Sequence, residues 1–252
     1  MSFTQTLLLG TISGLTIFLG LPLARLKVIK KEYLSFLNAI AIGVLFFLFV
    51  DVVAHTMEPI ETALTQNAPE FWMLTIAMIA GFVLGLMGLI YYGKHFLKKE
   101  PKLDPYRLAL LVSIGIGLHN FSEGLAIGNS AYSGELKLAL LLIVGFGLHN
   151  ITEAFAIAAP LAGQHAPWKF LVLSGLIAGG PNFVGTMVGY SFSSQLLSIL
   201  FLSLAAGAML YVIGELLAIG RKFESHAWMG WGLLLGFFAG LLTDFILVAV
   251  GG

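Results

Sequence analysis

Two short stretches carry the residues best suited to chemistry. His119-Asn120-Phe121-Ser122-Glu123 and His149-Asn150-Ile151-Thr152-Glu153 write the same pattern twice, offset by 30 residues. A helix turns about 100° per residue, so each His and the Glu four positions on fall within roughly 40° on one face, with the Asn at its border. Imidazole and carboxylate are ligands for zinc and other first-row divalent metals. If the two faces meet, two imidazoles, two carboxylates and two amide oxygens converge, and the carboxylates could bridge two ions.

Both copies sit inside long apolar runs. A charged residue at the centre of a membrane helix costs about 2.5–3.5 kcal/mol on insertion scales. Glu123, Glu153 and Glu215 would together cost several such increments unless a cation or protons compensate them. Helix packing does not require them. The plain alternative is that these groups only hydrogen-bond between helices, but that leaves the repetition at matched depth unexplained.

The elements that must position them follow from composition. The chain has 252 residues, of which 58% are hydrophobic and 10% charged. Its mean hydropathy is +0.95. A soluble domain carries about 25% charged residues. The chain therefore reads as all-α and polytopic, since runs near 20 residues suit spanning helices and no alternation suggests a barrel. The absence of cysteine excludes disulfides and thiolate sites, and zero net charge gives no case for nucleic acid. The first apolar run lacks a basic leader and a small-residue cleavage site, so it is expected to stay as a helix.

Eight spans are expected, at 4–24, 34–56, 71–93, 106–128, 137–160, 168–190, 196–219 and 228–250, packed in one bundle. Of 13 basic residues, 12 fall on one side, Lys137 being the exception. That side is expected to be cytoplasmic, which places both termini outside. The second loop, with Glu58, Glu61 and Glu70, then lies outside. Glycines spaced by four (Gly81 and Gly85, Gly175 and Gly179, Gly185 and Gly189, Gly232, Gly236 and Gly240) mark helix-packing faces. Gly179-Gly180-Pro181 suggests a broken or kinked sixth span.

The doubled motif, HNFSEG at 119–124 and HNITEA at 149–154 in the fourth and fifth of eight spans, resembles the Zrt/Irt-like (ZIP) family of divalent-metal transporters. The outside termini fit as well, and the likeness extends over the whole chain, 1–252, as a single transporter domain. Gly214-Glu215 in the seventh span looks like that family's acidic metal residue. The resemblance implies a binuclear site. One ion would take His119, Glu123, His149 and Glu153. The second would take Asn120, Asn150 and Glu215, with Glu123 and Glu153 bridging. It also implies metal movement from outside to cytoplasm, a multi-pass protein of the cell membrane, and a homodimer, since members are often dimers. There are departures. Ser122 and Thr152 stand where many relatives carry Pro, Ala154 where Gly is usual, and Gly180 where a bacterial subgroup carries Glu before Pro.

Other residues invite weaker roles. Asp51 and His55, spaced i, i+4 on the second span, could form a transient entrance site, and Asp244 lies near the outer end of the eighth span. His165 and His226 sit in cytoplasmic loops, where His165 is a candidate for metal exit; solvated loop histidines are the plain alternative. Asn182 follows Pro181 and could cap a half-helix. Glu215 lies six residues before Arg221, so it belongs below mid-membrane.

The function expected is transport of a divalent cation, with zinc first and iron(II), manganese and cadmium open. No prosthetic group is expected; the partners are the metal ions and the bilayer. A membrane metallo-hydrolase is the first alternative. It would need an open zinc position and a base, and the chain has no HExxH. A non-transporting metal-binding or sensing protein is the second.

Overall fold

The chain's apolar runs become helices of hydrocarbon length. In the computed structural model, residues 1–25, 30–96, 104–132, 134, 136–191, 194–221 and 225–251 are described; His149, Thr152 and Glu215 are described by their backbone only. The first span divides into α1 (Phe3–Leu15), α2 (Ile17–Gly20) and a 3-10 turn (Leu21–Arg25). Then follow α3 (Lys31–Thr65), α4 (Phe71–Phe96), α5 (Pro105–Tyr132), α6 (Leu136–Ala158), α7 (Trp168–Ser191), α8 (Gln195–Gly220) and α9 (His226–Gly251). Among the described residues, six segments are long and apolar enough to cross a membrane. α6 and α9 occupy the places of the remaining two expected spans.

Three details differ from the expected spans. The first span is interrupted at Thr16, whose hydroxyl lies 2.7 Å from the Ser13 carbonyl and 2.6 Å from the Gly147 carbonyl of α6. That side chain ties the end of α1 to its neighbour where the ladder breaks. The second span runs on to Thr65, so Glu58 and Glu61 ride on an exposed helical extension of α3 and not in a loop. The sixth span does not break at Pro181: α7 is helical from Trp168 to Ser191. Proline lacks the N–H that would bond four residues back, which frees the Ile177 carbonyl. Gly117 of α5 lies so close to that carbonyl that a Cβ there would collide with it.

Helix contacts sort into two groups. α1, α2, α5, α6 and α7 pack with one another, as do α3, α4, α8 and α9. The pairs α5–α7, α4–α8 and α3–α9 are the most extensive. Their glycines explain the closeness. Gly185 and Gly189 of α7 press on the Phe121 and Leu125 carbonyls of α5, and Gly81 and Gly85 of α4 on the Leu200 and Leu204 carbonyls of α8. Gly232 and Gly236 of α9 meet the Phe36 and Ile40 carbonyls of α3 in the same way. Small residues permit such backbone approach where lipid offers no hydrophobic drive between helices.

A seam joins the groups where α5 meets α8, and α6 meets α3 and α9. The buried core crosses it, with Leu45 and Leu48 of α3, Leu111 and Ile116 of α5, Ile157 of α6 and Val212 of α8 in one cluster. α5 lies at the centre: 72% of its apolar window is buried, against 22% for α4. The outward faces of α4 and α9 carry exposed apolar residues, among them Ile76, Val83, Leu234 and Phe238, as lipid contact requires.

Candidate metal centre

The enclosed helix α5 presents His119 and Glu123 one turn apart, and α6 presents Glu153 opposite them. The imidazole Nε2 of His119 lies 3.3 Å from Glu123 Oε1 and 3.7 Å from Glu153 Oε1. One ligand atom from each of the three residues falls within 4.8 Å of the others. All three side chains are buried. Zinc bonds to nitrogen and oxygen of about 2.0–2.1 Å put neighbouring ligands of a tetrahedron some 3.3–3.4 Å apart. The observed spacings are near that edge length before any adjustment.

The asparagines of the two motifs are held in a matching way. Asn120 donates its Nδ2 hydrogen to the Ala178 carbonyl of α7 at 3.1 Å. Asn150 donates its Nδ2 hydrogen to the Ser13 carbonyl of α1 at 3.0 Å. Each amide therefore spends its donor end on a flanking helix, which orients its oxygen. Among the described residues, the buried Oδ1 atoms of Asn120 and Asn150 and the carboxylate oxygens of Glu123 lack a hydrogen-bond partner, and both ring nitrogens of His119 are buried as well, while the Asn120 side chain lies within hydrogen-bonding reach of the Glu153 carboxyl. An unsatisfied buried polar group costs about 1–3 kcal/mol, and a charged one more. Acceptor oxygens dominate this set, and a bound cation, or protons on the carboxyls, would satisfy them. Nitrogen and oxygen donors of this kind suit zinc and its first-row neighbours.

The remaining expected residues distribute as follows. His149 occupies on α6 the position that His119 has on α5, and Glu215 lies on α8; both side chains fall outside the described residues. Asp51 and His55 do not join the buried cluster. They pair on α3, with His55 Nδ1 3.4 Å from Asp51 Oδ1 and 3.0 Å from the Asp51 carbonyl. His165 is exposed at a positive φ of 50° in the loop between α6 and α7. Arg25 donates to the Ala166 carbonyl of that loop at 2.7 Å and stacks over Trp168 at 5.1 Å. His226 is exposed at the start of α9. A Cβ at Gly180 would meet nothing within 4 Å, while Asn182 is buried beside Gly14 of α1.

Sequence reasoning missed the contribution of α1. Its part in orienting Asn150 comes from the main-chain carbonyl of Ser13, and carbonyls leave no side-chain signature. The polar residues Ser13 and Thr16 within the first apolar span were the available hint.

The sequence pattern of the family described as ZIP Zinc transporter matches residues 97–250, more than half of the chain. The protein called Zinc transporter ZupT of Chlorobium limicola is 31% identical, over 92% of this chain and 92% of its own. The proteins of that name from Oceanobacillus iheyensis and Chlorobium luteolum are each 28% identical, over 94% and 93% of this chain and 94% and 95% of their own. Doubled motif, buried acceptor cluster and chain-length similarity lead to one assignment: the chain belongs to the ZIP zinc transporter family, as a multi-pass integral membrane protein that transports divalent metal and is not an enzyme.

Proposed function

We infer that this protein, acting as one transporter domain over residues 1–252, carries zinc across the cell membrane into the cytoplasm. The observation that carries the reading is the convergence of His119, Glu123 and Glu153 on one buried point at ligand spacing. His149 would complete the first ion's shell from α6. Asn120, Asn150 and Glu215 would serve a second ion, with Glu123 and Glu153 shared between the two. The related proteins named as zinc transporters support zinc as the substrate; the same donors also accept iron(II), manganese and cadmium.

The path runs along the bundle. Asp51 and His55 on α3 would receive metal at the outer side, where Asp244 adds negative charge. The buried centre would take it next, exchanging protons or water for the ion. His165 would meet it near the inner side. Transporters commonly hold their substrate near the midplane and expose it alternately to the two sides. A homodimer is the assembly that fits the family.

The test is flux. Purified protein in liposomes should take up radioactive zinc down an imposed gradient, and Glu123→Gln and Glu153→Gln should each lower the rate about tenfold or more, with folding unchanged by size exclusion. Intact flux in both variants would remove these carboxylates from the path. Wild-type protein that binds zinc but gives no flux above empty vesicles would favour a sensing or storage role. Competition by iron(II), manganese and cadmium in the same assay ranks the substrates.

A further inference from the structure

On the seam between the two helix groups, away from the metal centre, lies an apolar crevice of about 320 Å³. Leu23, Phe155 and Ala158 line it from the first group, and Leu37, Ile40 and Ala239 from the second. A water occupies about 30 Å³ in the liquid and needs two or more polar partners to settle in a cavity. The crevice has room for about ten waters on that measure, yet these six side chains offer none a hydrogen bond.

Its depth and surroundings indicate the occupant. Leu37 lies about 9 Å above the start of α3, and Ala239 about 20 Å above the start of α9, at 1.5 Å per residue. Both helices start on the membrane face that carries Arg25, Lys30 and Arg221. The crevice therefore extends through the half of the hydrocarbon layer next to the basic face, where about 15 Å of acyl chain is available. Lys30, the residue that precedes α3, is exposed and stands seven positions before Leu37 in the chain. A basic residue at that level attracts anionic headgroups.

We propose that the crevice is a lipid site: one acyl chain of an anionic phospholipid from the basic-side leaflet inserts between α3, α6 and α9, with its phosphate at Lys30. The acyl chain fills the crevice that residues of both groups line. The site depends only on the protein being embedded in a bilayer, so it stands or falls separately from the zinc path.

The experiment uses the full-length protein in nanodiscs of mixed phosphatidylglycerol and phosphatidylcholine. Phosphatidylglycerol bearing a photoreactive diazirine in its acyl chain should crosslink to residues 155–162 and 235–239. Native mass spectrometry of protein released from these discs should show one retained phosphatidylglycerol. Ala158→Phe with Ala239→Phe should abolish both signals. Lys30→Gln, which leaves the crevice open, should keep the crosslink but lose the preference for phosphatidylglycerol over phosphatidylcholine. Crosslinks confined to outward residues such as Leu176 and Leu234, or retention unchanged in the filled variant, would overturn the proposal. So would equal retention of the two lipids by the wild type.

Discussion

Asn120 and Asn150 divide their amides between two tasks, and this makes them informative to mutate. Each donates to a carbonyl of a flanking helix and has a buried oxygen without a hydrogen-bond partner among the described residues, which the proposed second ion would take. Hydrogen bonds between membrane helices contribute about 0.6–1.7 kcal/mol. Asn150→Leu should therefore lower stability by about that amount, seen as a fall in thermal unfolding temperature in detergent, and should weaken zinc binding in calorimetry as well. Asn150→Asp keeps an oxygen for metal but sets an acceptor against the Ser13 carbonyl; it should cost more stability than the leucine variant. The reverse order would show that the Ser13 contact does not orient the amide. His119→Ala removes an imidazole nitrogen that lies near both carboxylates, and zinc affinity should fall by about tenfold to a hundredfold. At this scale the convergence of His119, Glu123 and Glu153 was legible in the sequence. A ligand pair four residues apart declares its shared face, and the repeat declares a partner. The carbonyls of Ser13 and Ala178 were not legible, because every residue has one and only the fold selects which is used.

Helix pairing rests on glycine positions that the structure separates into two kinds. A Cβ at Gly189 would collide with the Leu125 carbonyl, and one at Gly236 with the Ile40 carbonyl, whereas a Cβ at Gly88 meets nothing within 4 Å. Gly189→Ala and Gly236→Ala should each destabilise by about 1–3 kcal/mol through overpacking. Gly88→Ala should be neutral or gain up to about 1 kcal/mol from helix propensity. Thermal unfolding of the three variants in one detergent checks the contrast; equal shifts would mean that the close approaches do not hold the pairs together. The spans themselves were readable because hydrocarbon thickness sets a length that composition cannot hide. The pairings were not, since a stripe of small residues on one helix accepts a backbone from any other. The break at Thr16 and the unbroken α7 escaped for a related reason. Thr16 is tied to a carbonyl of α6, and the Ile177 carbonyl that Pro181 frees is packed against Gly117, so contacts with other helices decide both outcomes.

For the whole molecule the open quantity is orientation, and the chain is well suited to measuring it. It contains no cysteine, so a single introduced thiol reports without background. Gln66 and Gln164 are both exposed, at opposite ends of the bundle. Gln66→Cys should react with a membrane-impermeant maleimide applied to intact cells, and Gln164→Cys only after the membrane is opened. The opposite pattern would reverse the path and place Asp51 and His55 at the exit. The basic asymmetry that predicts this orientation is a property of the entire chain and not of any one contact. One contact on the basic face also has an optical consequence. Arg25 holds its guanidinium 5.1 Å above the Trp168 ring while bonding the Ala166 carbonyl. A fixed cation over an indole changes the field in which its excited state relaxes. With Trp72, Trp228 and Trp231 changed to Phe, the emission of Trp168 alone becomes a native readout of whether that clasp is closed, followed in real time as zinc is added and without any attached dye.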